Sequence, residues 1–284
     1  MSEPSLSAFL ACNRSVLVDV IEAKGSTPRE AGTYMLVGDE AIWGTIGGGQ
    51  FEYMAIDNAR AILKGGGETV MDIPLGPEIG QCCGGRTKLR FTRVTSQIAE
   101  MLQDRLVRER DERPAVFLFG SGHVGLALAR ALAPLPFAVT VVEIRKEALQ
   151  NLPAGVTSRL TSMPEASVDD IAPGGAAVIL THDHALDFLI AERALKRSDL
   201  AYVGMIGSAT KRATFSHWLD RQEGENTMKR ENAVMMSRLI LPIGGSAVRD
   251  KRPEVIAALV AAELLQRVPL AMPDRRLERE VAAD

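Results

Sequence analysis

The chain has 284 residues, with 33 Lys and Arg against 36 Asp and Glu, a formal net charge of −3 and 46% hydrophobic residues. That near-balance excludes the concentrated basic surface of a general nucleic-acid binder, and no aromatic-and-basic platform replaces it. The length favours two domains around a mostly aliphatic core. The opening MSEPSLSAFLACN lacks a basic region and a long apolar segment, so it does not read as a signal peptide. No run reaches the roughly 18–20 apolar residues of a spanning helix. Three cysteines, Cys12, Cys82 and Cys83, fit a reducing compartment rather than a disulfide framework. The expectation is a cytoplasmic protein without a membrane partner.

In chain order, SVLVDVIEA from Ser15 to Ala23 reads as a strand. A loop through Gly25, Pro28 and Gly32 follows, and the strand resumes from Thr33 to Val37. A second glycine-rich turn, GTIGGGQ, opens a helix with apolar residues at Phe51, Met54, Ala55, Ala59, Ile62 and Leu63, ending at Gly65. A third glycine-rich loop surrounds Cys82 and Cys83, and Thr87 to Val94 is a strand. A helix over 95–110 then leads into the charged, proline-terminated run from Arg108 to Pro114, which reads as a solvated connection. The expected domains are therefore 1–110, a smaller N-terminal α/β domain, and 111–284.

The second half opens on AVFLFG at Ala115, an unbroken apolar run suited to a central parallel strand covered on both faces. Helix LALARAL, strand FAVTVVE, a short strand VTSRL, strand AAVIL, helix ALDFLIAERALKR, strand LAYVGMIG and helix ATKRATFSHWL follow. After LPIGG, a last helix spans about Pro253 to Gln266. This alternation predicts a Rossmann-like, doubly wound parallel α/β sheet.

GSGHVG, between the first strand and helix of that half, is the best-placed motif. Gly120 permits a tight turn, Gly122 lets a phosphate approach, and Gly125 lets helix and sheet pack closely. The helix N-terminus offers N–H groups to an anion. Glu143 closes the second strand, where an acid would take a ribose hydroxyl. The residues leave open a glycine turn serving the fold alone, an NAD(P) or flavin dinucleotide, and another phosphate-bearing ligand. His123 either touches a ligand or fills the loop.

Two more motifs fall at strand ends. His182, Asp183 and His184 line a ligand or move a proton, or Thr181 or Asp183 caps the next helix. Gly207 and Ser208 suit an anion nest, with Lys211 and Arg212 supplying charge or facing water. In GQCCGGR, Cys82 and Cys83 are soft nucleophiles and metal ligands, or small buried residues. With no paired CxxC, a structural zinc site is not expected.

Taken together, GSTPREAG, GTIGGGQFE, LGPEIGQCCGG, FGSGHVG, THDHALD, GMIGSATKRATF and LPIG resemble the xanthine dehydrogenase accessory proteins, related to the carbon-monoxide dehydrogenase accessory family. The resemblance runs from about Ser15 to about Leu265. It implies a family-specific N-terminal domain, a Rossmann-like C-terminal domain and a homodimer. It also implies a chaperone rather than a turnover enzyme. Such a protein binds the molybdenum (pyranopterin, molybdopterin) cofactor, meets a cysteine desulfurase while the molybdenum gains its sulfido ligand, and delivers the cofactor to apo xanthine dehydrogenase. The family's loops fall on Cys82–Cys83, on Gly120, Gly122, His123 and Gly125, on His182, Asp183 and His184, and on Gly207, Ser208, Lys211 and Arg212. Because molybdenum is thiophilic, Cys82 or Cys83 is the candidate contact to the cofactor's metal. An NAD(P)-dependent oxidoreductase is the alternative.

Overall fold

The computed structural model describes residues 5–77, 80, 84–222 and 226–270. The chain divides into two compact units, one up to Glu109 and one from Arg110. Among the described residues, no helix is long and apolar enough to cross a membrane.

The N-terminal unit is built on an antiparallel sheet. Its strands are β1 (Ser15–Lys24), β2 (Tyr34–Gly38), β3 (Ile42–Gly44), β4 (Val70–Pro74) and β5 (Arg86–Arg93), in the order β3-β2-β1-β5-β4. The period-two alternation of β1 serves two cores. Val16, Val18 and Val20 face α2 (Gly49–Leu63), meeting Phe51, Ala55 and Ile62. Leu17 faces the other way, toward Leu6 and Phe9 of α1 (Leu6–Cys12) and Leu102 of α3 (Ser96–Asp111). Asp19 is balanced by Arg90 across the β1–β5 pair, with Nη2 donating to Oδ2 at 2.6 Å. The charged run after Arg108 is, as far as Asp111, the last turn of α3.

The C-terminal unit is a six-stranded, all-parallel sheet. Its strands are β6 (Ala115–Phe119), β7 (Ala138–Glu143), β8 (Thr157–Leu160), β9 (Ala176–Ile179), β10 (Tyr202–Met205) and β11 (Leu239–Ile240). They lie in the order β8-β7-β6-β9-β10-β11. Counted from β6 this is 3-2-1-4-5-6, the Rossmann order, with its switch point between β6 and β9. The sheet is covered on both faces. Val116 and Leu118 pack with Leu128 and Leu132 of α4 (His123–Leu132) and Val260 and Leu264 of α8 (Pro253–Arg267). Phe117 and Phe119 pack on the other face with Ile190 of α5 (His184–Lys196) and Phe215 of α6 (Ala209–Gln222). Each such buried side chain stabilises the unit by about 1.5–3 kcal/mol. Short 3-10 turns, not full helices, lead from β7 to β8 and from β8 to β9. A further helix, α7 (Asn226–Arg238), precedes β11.

A strand-end cleft in the Rossmann-type unit as candidate functional site

The glycine loop owes its shape to two steric demands. Gly120 has φ 110°, a backbone that side chains rarely adopt, and a Cβ there would lie 2.8 Å from the Leu180 carbonyl oxygen. At Gly125 a Cβ would lie 2.1 Å from the Gly120 carbonyl oxygen, so α4 can start this close to β6 only through a glycine. Gly122 differs. Its φ is −63°, it caps α4 without a side-chain hydrogen bond, and a Cβ there would meet nothing within 4 Å. The fold does not demand glycine at that position. What the glycine provides is room in front of the free N–H groups of a helix start.

Gly120 and Gly122 form one wall of a cleft of about 90 Å³. Val142, Ile144, Pro164, Leu180 and Leu186 give it an apolar lining, and Glu143, Arg145, Thr181 and His182 complete it. The Glu143 side chain is only 4% exposed. Its Oε2 accepts from the Ser121 amide (3.1 Å), the Ser121 hydroxyl (2.9 Å) and Arg145 Nη2 (3.1 Å). Its Oε1 accepts from the Ile144 amide (2.9 Å), the Arg145 amide (3.2 Å) and Arg145 Nε (3.2 Å). Burial pushes this carboxyl up, but the bonds from Arg145, Ser121 and Ile144 outweigh it and bring the pKa down to about 2. Glu143 thus holds the glycine loop to the end of β7 as a carboxylate.

Asp183 is the N-cap of α5, its Oδ1 accepting from the Ala185 and Leu186 amides at 2.8 and 3.3 Å. His182 lines the cleft, while His123 and His184 are the exposed first residues of α4 and α5. Lys211 turns inward: its Nζ donates to Asp187 Oδ2, and at 3.0 Å to the Ile206 carbonyl. Gly207 lies beneath the folded Lys211 side chain, and Ser208 accepts the first bond of α6 from the Arg212 amide at 3.0 Å. Arg212 donates to the Leu239 and Met236 carbonyls at 3.0 and 2.5 Å, tying α6 to the end of α7 and to β11. Both cations, read as ligand or surface charge, are engaged within the protein.

The cleft therefore collects Gly120, Gly122, Glu143 and His182 from the sequence candidates and adds Arg145, while the buried Ser121 holds Glu143 in place. Arg145 has a sequence signal, a cation just past the acid that closes the second strand. Ser121 has none beyond lying in the loop.

In the N-terminal unit, the glycine-rich loops also meet. A Cβ on Gly47 would lie 2.4 Å from Pro28 Cβ, and one on Gly85 2.2 Å from the Ser26 carbonyl oxygen. Glu52 of α2 fastens the GTIGGG turn, accepting from the Thr45 hydroxyl (2.5 Å) and the Ile46 and Gly48 amides (2.9 and 3.1 Å). Reciprocal bonds between Leu75 and Gly84–Gly85, both 2.9 Å, close the neck of the cysteine loop. Cys82 and Cys83 themselves lie outside the described residues. Among the described residues, no group of three or more His, Cys, Asp or Glu is placed to hold a metal ion.

Fold and cleft define a two-unit protein whose second unit is a Rossmann-type domain with a strand-end cleft. Residues 116–264 match the XdhC Rossmann domain, and residues 11–74 match the XdhC and CoxI family. The chain belongs to the XdhC and CoxI family. It is 27% identical over 261 residues to the uncharacterized protein YqeB of Escherichia coli (strain K12), covering 88% of this chain and 43% of that protein. The chain thus spans less than half the length of that curated relative. A solved structure described as a xanthine dehydrogenase from Bacillus halodurans has the same fold. Its TM-score is 0.75 at 16% identity, over 98% of this chain and 96% of that one.

Proposed function

We propose that this chain is a chaperone for the molybdenum pyranopterin cofactor. It binds the cofactor as cargo, supports its sulfuration together with a cysteine desulfurase, and delivers it to apo xanthine dehydrogenase. It works as a homodimer in the cytoplasm and completes a binding and handover event rather than a turnover. The match of both units to one family carries this reading. The description of the Bacillus halodurans relative as a xanthine dehydrogenase points to the same system. The cleft supports it chemically, because the cargo bears a phosphate and Gly122 leaves space before the N–H groups of α4. The apolar lining suits a flat heterocycle, and the soft thiols of Cys82 and Cys83 suit the metal.

The strand order and the glycine loop favour a second reading, an NAD(P)-dependent oxidoreductase. Gentle purification from molybdate-fed cells, followed by elemental analysis and pterin fluorescence, decides between them. Molybdenum and pterin together, with activation of apo xanthine dehydrogenase by the loaded chain, are the expected result. Tightly held NAD(H) without pterin would overturn the chaperone reading.

A further inference from the structure

We infer that the cleft at the ends of β6 and β7 selects a flat heterocycle bearing a phosphomonoester, and that Arg145 is the residue that reads the phosphate. The inference deepens the cargo reading and rests on it for the identity of the natural ligand.

In this fold the acid closing the second strand ordinarily offers its oxygens to a ribose diol. Glu143 has no oxygen to offer. A carboxylate has about four lone-pair positions, and six donor contacts from Ser121, Ile144 and Arg145 already crowd them. A diol would gain a bond here only by displacing one that holds the glycine loop in place.

Arg145 presents the opposite chemistry. Its Nε and Nη2 face Glu143, and Nη1 makes no hydrogen bond among the described residues. The side chain is 48% exposed and lines the cleft. A guanidinium whose one edge is fixed by a carboxylate presents its other edge to an anion without further ordering. Because Glu143 and Arg145 together are neutral, an incoming phosphate does not meet a negative wall. Gly122 adds free space and the positive end of α4. Leu180, Leu186 and Pro164 supply the apolar surface for the ring.

NAD and NADP differ by a single phosphomonoester and serve as probes of the full chain by calorimetry. NADP is expected to bind more tightly by about tenfold or more, the scale of one charged hydrogen bond. Arg145→Ala should level the two affinities, and Arg145→Lys should restore part of the difference. Thermal unfolding of each variant identifies any that has lost its fold, and the wild-type comparison needs no variant. Equal affinities, a preference for NAD, a preference surviving in Arg145→Ala, or no binding of either nucleotide would overturn the inference. A molybdenum-carrying chain without phosphomonoester preference sinks the inference alone. A clear preference in a chain that never carries molybdenum sinks the cargo reading alone.

Discussion

Asp187 of α5 and Lys211 of α6 form an ion pair closed to solvent, the carboxylate side chain fully buried and the ammonium side chain 9% exposed. The same carboxylate accepts from the Thr181 amide and hydroxyl, at 3.1 and 2.6 Å. One buried charge therefore fixes the loop after β9, which carries the cleft residues Thr181 and His182, to the helix after β10. Removing one partner leaves the other charged and unpaired in the interior. Lys211→Met should lower the unfolding free energy by about 3–5 kcal/mol. Adding Asp187→Leu in the same chain should recover part of that loss, since no buried charge then remains. Urea unfolding of both singles and the double closes the cycle. A Lys211→Met cost within the scatter of surface substitutions would show that the pair is not confined as described.

Gly125 and Gly122, three residues apart, should respond oppositely to the same added methyl. Gly125→Ala drives a Cβ to 2.1 Å from the Gly120 carbonyl oxygen, and backbone must move. A loss of about 1–3 kcal/mol is expected. Gly122→Ala meets nothing within 4 Å at an ordinary φ of −63°, so stability should fall by no more than about 1 kcal/mol, the difference between glycine and alanine as N-caps. Its effect belongs to the ligand, whose phosphate loses the space before α4. Denaturant midpoints and cargo content of the two variants separate these roles. Full cargo retention by Gly122→Ala would mean that the phosphate sits elsewhere.

The pattern of the C-terminal unit was open to reading because its central strands are unbroken apolar runs. AVFLF and AAVI suit central strands of a sheet covered on both faces, and all four residues of AAVI and four of the five of AVFLF are buried there. The strands that escaped reading, β3, β4 and β11, lie at the edges of their sheets, and pairing with a neighbour rather than their own pattern creates them. α7 reads NTMKRENAVMMSR and has no clear apolar stripe. Arg212 and Arg238 hold its C-terminal end by donating to backbone carbonyls, a contact that no periodicity foretells. The site was half legible for a related reason. An acid at the end of the second strand is visible in sequence. That Ser121, 22 residues earlier, already occupies its Oε2 is not. Nor does a sequence tell an inward lysine from an outward one, and Lys211 turned inward because α5 places Asp187 under it.

The Glu143 carboxylate links the glycine loop to pH. Its pKa of about 2 lies below the ordinary 4.5 of a free glutamic acid. The unfolded chain therefore takes up this proton first as pH falls, and the stability Glu143 contributes is intact above about pH 4.5 and lost toward about pH 2. Glu143→Gln should be less stable than wild type at neutral pH by about 1–2 kcal/mol, a value kept small because Arg145 is half exposed. The gap should close as pH is lowered through that window. Urea unfolding of both chains at stepped pH measures it, and a gap that stays constant down to acid pH would contradict the assignment.

Cys82 and Cys83 are the proposed thiol contacts to the cargo's molybdenum, and their loop has a defined neck. Leu75 exchanges backbone bonds with Gly84 and Gly85, and Gly85 packs against the Ser26 carbonyl with no space for a side chain. Those contacts are backbone and glycine contacts, so alanine at both cysteines does not remove any of them. Cys82→Ala with Cys83→Ala should therefore keep the urea midpoint while the molybdenum retained per chain falls by about tenfold, the lower end of what a disturbed metal site loses. Gly85→Ala is the structural counterpart: it strikes the neck, and should lower stability and cargo together. If the double alanine chain kept its molybdenum and activated apo xanthine dehydrogenase as well as wild type, the thiols would not be what holds the metal. The cysteine loop would then be no part of the cargo site.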